Sequence, residues 1–114
     1  TCGSGVLDLG FVDYLKTNTT LTALDVSGNE IFGVGEIFDS LMLNTTLTEL
    51  RLKNVLVSEY GAMDIATMLE TNTTLAILDL TSTDIKDEGI NELVESLKMN
   101  TSLTELILEG ISNY

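Results

Sequence analysis

Apolar residues recur along this chain in four runs of one shape. Leu21, Leu24 and Val26; Leu47, Leu50 and Leu52; Leu75, Leu78 and Leu80; and Leu103, Leu106 and Leu108 keep the same spacing. The last two members of each run flank an outward position, the period-two pattern of a short half-buried strand. A second pattern follows the first. Ile31, Val57 and Ile85 are each followed four residues later by a glycine, Gly35, Gly61 and Gly89. There the period changes. Ile37 and Leu41; Met63, Ile65, Ala66, Met68 and Leu69; and Ile90, Leu93, Val94 and Leu97 fall at spacings of three and four, which predicts an amphipathic helix of about three turns in each unit. A further helix is predicted over about 6–17, ahead of the first strand, with Val12 and Leu15 in the places of Val94 and Leu97.

The alternation is a true repeat. Asn18-Thr19-Thr20-Leu21, Asn44-Thr45-Thr46-Leu47, Asn72-Thr73-Thr74-Leu75 and Asn100-Thr101-Ser102-Leu103 recur at intervals of 26, 28 and 28 residues. A strand and a helix per unit of this length, with Leu-x-x-Leu-x-Leu at the strand, resembles the leucine-rich repeat. The stretch from Ile85 through Gly89 to Leu93 and Leu97 is similar to the ribonuclease-inhibitor-like subclass, which also occurs in NOD-like receptors, Ran GTPase-activating proteins and the C-terminal domain of tropomodulins. The resemblance covers about residues 6 to 108. It implies a single α/β domain over 1–114, a right-handed β-α solenoid with parallel strands on a concave face and helices on a convex one. Two features depart from the family. Its Asn after the strand survives only as Asn29, the equivalents being Val55, Thr83 and Ile111, and the first repeat is two residues short between Gly35 and Asn44.

Composition narrows the chemistry. The chain has no histidine, tryptophan or proline and one cysteine, Cys2, which removes a histidine base, a multi-cysteine or histidine metal site and an internal disulfide. Gly3-Ser4-Gly5 and Gly33-Val34-Gly35 lack the context of a phosphate loop, and Asp84, Asp87 and Glu88 lack the spacing of a calcium loop. No catalytic site, cofactor or metal is expected. Eighteen acidic against five basic residues give a net charge of −13, which repels nucleic acid and anionic membrane surfaces. A mean hydropathy of +0.27 calls for a real core, yet no apolar run reaches the roughly 20 residues of a bilayer span, and the first five residues lack the features of a signal peptide.

Stacked strands expose three outward columns. They read Ala23, Glu49, Ile77, Glu105; then Asp25, Arg51, Asp79, Ile107; then Ser27, Lys53, Thr81, Glu109. This face is the candidate partner-binding surface. Arg51 and Lys53 make its only basic spot, read either as a solvated salt ladder between Asp25 and Asp79 or as the receptor for a partner's acidic group. Ile77 and Ile107 are candidate apolar anchors, having no core to enter. The helix side carries Asp39, Asp64, Glu70, Glu92 and Glu95, a solubilising face with attraction of a basic partner as the second reading. Asn18, Asn44, Asn72 and Asn100 head glycosylation sequons that would be used in a secreted chain; as structural residues they would cap helix ends in the left-handed conformation. Resemblance to intracellular members favours a cytoplasmic location.

The expected function is binding of a protein partner through the concave face. No polar cap is evident at either end, so the alternatives are head-to-tail self-association or a piece of a longer leucine-rich-repeat regulator. The resemblance makes GTPase activation or actin-filament capping the activities of such a parent.

Overall fold

The computed structural model describes residues 6–7, 15, 20–28, 30–31 and 34–110. Element β1 is Val6–Leu7, β2 Ala23–Asp25, β3 Glu30–Ile31, α1 Val34–Leu43, β4 Glu49–Arg51, α2 Ser58–Thr71, β5 Ile77–Asp79, α3 Lys86–Leu97 and β6 Glu105–Ile107. β2, β4, β5 and β6 form one parallel sheet in sequence order. Leu24, Leu50, Leu78 and Leu106 are in register across it, so each run of the repeat sends the same position into the same layer.

The strands are only three residues long because the alternating pattern is itself that short. Beyond each one the chain turns at an equivalent residue with positive φ: Gly28 at 76°, Asn54 at 62°, Ser82 at 56° and Gly110 at 70°. The turns are tied laterally. The Gly28 N–H donates to the Lys53 carbonyl, Asn54 to Thr81 and Ser82 to Glu109, which extends the sheet's register past its formal ends.

The helices then return over the back of the sheet. Val57 and Ile85 precede α2 and α3 without any side-chain cap, although both are buried, so burial of an apolar residue fixes these entries where a hydroxyl or carboxylate would ordinarily do so. The core lies between the layers. Leu24, Val26, Leu50, Leu52, Leu78 and Leu80 meet Ile37, Phe38 and Leu41 of α1, Ile65, Met68 and Leu69 of α2 and Leu93 of α3, all at most 2% exposed. In the last repeat Leu103, Leu106 and Leu108 pack against this cluster while only partly buried.

Two expectations are corrected in detail and two others are given their place. Val6–Leu7, expected within a helix over 6–17, instead pairs in parallel with Glu30–Ile31, and the two-stranded ladder gives its backbone partners there. Leu15 is helical and fully buried, as its match to Leu97 predicts, while Val12 lies outside the described residues. Met63 and Val94 fall at helical spacing but are 51% and 50% exposed. The buried stripe is narrower than the apolar pattern, and α2 and α3 approach each other through small residues. A Cβ on Gly89 would collide with Ile85 Cγ2 and sit 2.8 Å from Ala62 Cβ. Finally, the two-residue deficit falls within the helix: α1 has 10 residues against 14 and 12, and the turn at Asn44 keeps the form of the turn at Asn72.

Candidate functional site

The repeated asparagine is the first residue with a long reach. Asn72 Nδ2 donates to the Leu41 carbonyl at 2.8 Å, closing the end of the preceding helix, while its Oδ1 accepts from the N–H groups of Thr74 at 2.9 Å and Leu75 at 2.7 Å. Asn44 does the same for Leu15, Thr46 and Leu47. Asn100 does it for Leu69, Ser102 and Leu103, with a second bond from Nδ2 to the Asn72 carbonyl. Helix-end carbonyls have no partner within their own helix. Here the carbonyls of Leu15, Leu41 and Leu69 are each served by the asparagine of the next repeat, so the family's missing ladder is replaced by another at the helix-to-strand turn.

This corrects the expected left-handed cap. Asn72 has φ −76° and ψ 132°, an extended conformation that aims its side chain inward. The hydroxyls of Thr46 and Ser102 also reach across, to the carbonyls of Leu21 and Leu75 in the preceding repeat. Nδ2 is the atom a glycan would occupy. At Asn44, Asn72 and Asn100 that nitrogen donates to the carbonyls of Leu15, Leu41 and Leu69, while Asn18 lies outside the described residues.

On the opposite face of the sheet the three columns assemble as the repeat requires. Ala23, Glu49, Ile77 and Glu105 are in register, as are Asp25, Arg51, Asp79 and Ile107. Ser27, Lys53, Thr81 and Glu109 align through the turns, and the Ser27 hydroxyl accepts from the Lys53 N–H at 2.9 Å. Arg51 donates from Nε to Glu49 Oε2 at 2.8 Å and from Nη1 to Asp79 Oδ2 at 3.4 Å. The guanidinium is thus held by its own strand and by the next one. The hydrogen bond that Arg51 gives to Glu49 raises the Arg51 pKa, opposed by desolvation and aided by Asp79.

The two aspartates of this column are fixed locally. Asp25 accepts from the Ser27 N–H, and hydrogen bonding by Ser27 lowers its pKa below the ordinary aspartate value. At Asp79 burial works to raise the pKa, yet the Thr81 hydroxyl at 2.6 Å, the Thr81 N–H and the charge of Arg51 outweigh it and the net shift is downward. Both are therefore charged at neutral pH. Ile77 and Ile107 are half-buried on this side of the sheet, as diagonal neighbours on adjacent strands. Their side chains face away from the core. Lys53 is exposed, with no carboxylate at ion-pair distance among the described residues.

Sequence reasoning missed a third cluster, at the starts of α2 and α3. Glu59, Tyr60, Met63, Glu88 and Glu92 line a cavity of about 220 Å³, and Glu59 and Glu88 also border an adjoining one of about 380 Å³ with Lys86 and Asp87. The signal available was Tyr60, an aromatic beside the helical stripe and not on it. Among the described residues no cluster of three acidic, cysteine or histidine side chains is arranged to hold a metal ion, and no helix is long and apolar enough to cross a membrane.

A parallel sheet of short strands with one helix per strand, repeating every 26 to 28 residues around leucines, defines a leucine-rich-repeat domain. A family model described as Leucine Rich repeat matches residues 17–35 and 71–94. Among solved structures the chain is similar to "Leiomodin-1 Actin-Binding Site 2", at 27% identity and TM-score 0.79, over 83% of this chain and 57% of that one. It is also similar in fold to the tropomodulin C-terminal domain from Caenorhabditis elegans, at 16% identity and TM-score 0.82, over 90% of this chain and 64% of that one. The family-model match and these two likenesses support a leucine-rich-repeat protein of the ribonuclease-inhibitor-like type. It spans less than two thirds of either structure. A search of curated proteins finds no match.

Proposed function

We propose that the chain is a non-catalytic module that binds a protein partner through the open face of its four-stranded sheet, and that actin is that partner. The observation that carries the reading is the pair Ile77 and Ile107, apolar side chains standing on the sheet face opposite the core and flanked by charged residues held in fixed positions. Isolated exposed apolar residues are common, but two on neighbouring strands inside a preorganised polar frame are the ordinary composition of a contact centre and its rim. Strands stand about 4.8 Å apart and packed helices about 8–10 Å, so a solenoid built from both curves toward its strands and makes this face concave. The likeness to a structure titled as an actin-binding site of leiomodin is what favours actin. Absence of a histidine base and the exposure of most described carboxylates support a binding role over a catalytic one.

The test is titration of the chain with monomeric actin. Ile77→Asp and Arg51→Glu are each expected to weaken binding by about tenfold or more, the scale of a central contact residue, while circular dichroism stays that of the parent. Unchanged affinity in both variants removes this face; no binding of actin by the parent chain removes that partner.

A further inference from the structure

The starts of α2 and α3 are brought together by Gly89. Without a side chain there, α3 lies against α2 so closely that an added Cβ would be 3.4 Å from the Glu59 backbone. Glu59, Tyr60 and Met63 of one helix then share a cavity with Glu88 and Glu92 of the other. Helix dipoles explain part of this, because Glu59, Asp87 and Glu88 sit in first turns, where negative charge is favoured. They do not explain the rest. Glu92 lies beyond the first turn, and Tyr60 is 73% and Met63 51% exposed, with Leu56 just ahead of them at 72%. Glu59 Oε2 is shielded from solvent and accepts no hydrogen bond among the described residues; Lys86 Nζ stands 3.9 Å from it.

We propose that this groove is a second docking surface, for a basic segment of a partner protein that presents one apolar side chain. The cavity of about 220 Å³ is smaller than the roughly 300–1,000 Å³ that encloses a small-molecule ligand and suits a single inserted side chain. Four carboxylates, Glu59, Asp87, Glu88 and Glu92, surround it against the one ammonium of Lys86. A lysine or arginine beside the inserted residue takes the place Lys86 fills at long range, and Tyr60 and Met63 form the apolar wall. The net charge of −13 draws such a segment in from a distance. This site shares no residue with the sheet face.

The experiment uses two fluorescently labelled peptides of equal charge, one of alternating leucine and lysine and one in which serine replaces every leucine. Saturable binding of the first is expected, at least tenfold tighter than the second. Tyr60→Asp and Glu92→Lys are each expected to weaken it about tenfold, and Arg51→Glu to leave it unchanged, which separates this groove from the sheet face. Both substituted positions are exposed, so the variants are expected to keep the parental thermal transition. No saturable binding, or equal binding of both peptides with no loss in Tyr60→Asp, overturns the proposal and leaves only diffuse attraction to an acidic surface.

Discussion

Asn72→Ala is expected to destabilise the chain by about 3–5 kcal/mol, a large part of the roughly 5–15 kcal/mol that holds a domain of this size. The substitution removes little apolar contact. Its cost comes from the groups left behind: the Leu41 carbonyl and the N–H groups of Thr74 and Leu75, all of which now bond to one side chain that is 5% exposed. A buried polar group without a partner costs about 1–3 kcal/mol, and alanine offers neither the donor nor the acceptor of the amide. Asn100→Ala is expected to cost less, since Asn100 is only half-buried and water can reach the groups it serves. Urea unfolding of the three chains checks this, through the order of their midpoints. Equal midpoints for parent and Asn72→Ala would show that the asparagine ladder does not join the repeats.

Gly89→Val is the second large effect, with an expected loss of about 3 kcal/mol. Alanine in place of a helical glycine ordinarily gains about 1 kcal/mol. Here the first added carbon already meets Ile85 Cγ2 and comes to 2.8 Å from Ala62 Cβ, and the Ala62 carbon is fixed to its backbone and cannot rotate away. Overpacking of this kind costs about 1–3 kcal/mol, and the branched side chain of valine adds crowding toward the backbone of Glu59. Gly89→Ala should therefore be the milder variant. Combining it with Ala62→Gly is expected to recover part of the loss, because the two positions share one gap. Thermal unfolding of the single and double variants measures the coupling. Additive losses would mean that α2 and α3 do not meet at Gly89.

The sheet was legible because its information is local and repeated. Leu24, Leu50, Leu78 and Leu106 differ by a near-constant interval, so the register and the three outward columns follow once the repeat is recognised. The helices were legible in position but not in width. Met63 and Val94 match the helical period as well as Ile65 and Leu93 do, yet the first pair is half-exposed and the second buried, a difference that lies in the tertiary packing and not in the period. The asparagines show the limit most clearly. Their recurrence was plain, yet their partners lie 31 residues earlier, at Leu15's equivalents Leu41 and Leu69, and a pattern read within one turn suggests a local cap instead. The groove at Glu59 and Tyr60 was invisible for the same reason. It is made by two helix starts in separate repeats, joined by a glycine whose role is to be small.

Binding through the open sheet face is tested most directly by methyl resonances of isoleucine and methionine as actin is added to the labelled chain. Ile77 and Ile107 stand on that face, whereas Ile37, Ile65 and Ile85 are at most 1% exposed in the core and Met63 reports the helix side. The expected result is that the Ile77 and Ile107 methyls shift or broaden with saturation while the core methyls and Met63 keep their positions. Saturating changes at Met63, with Ile77 and Ile107 unmoved, would contradict it and transfer the binding surface to the helices.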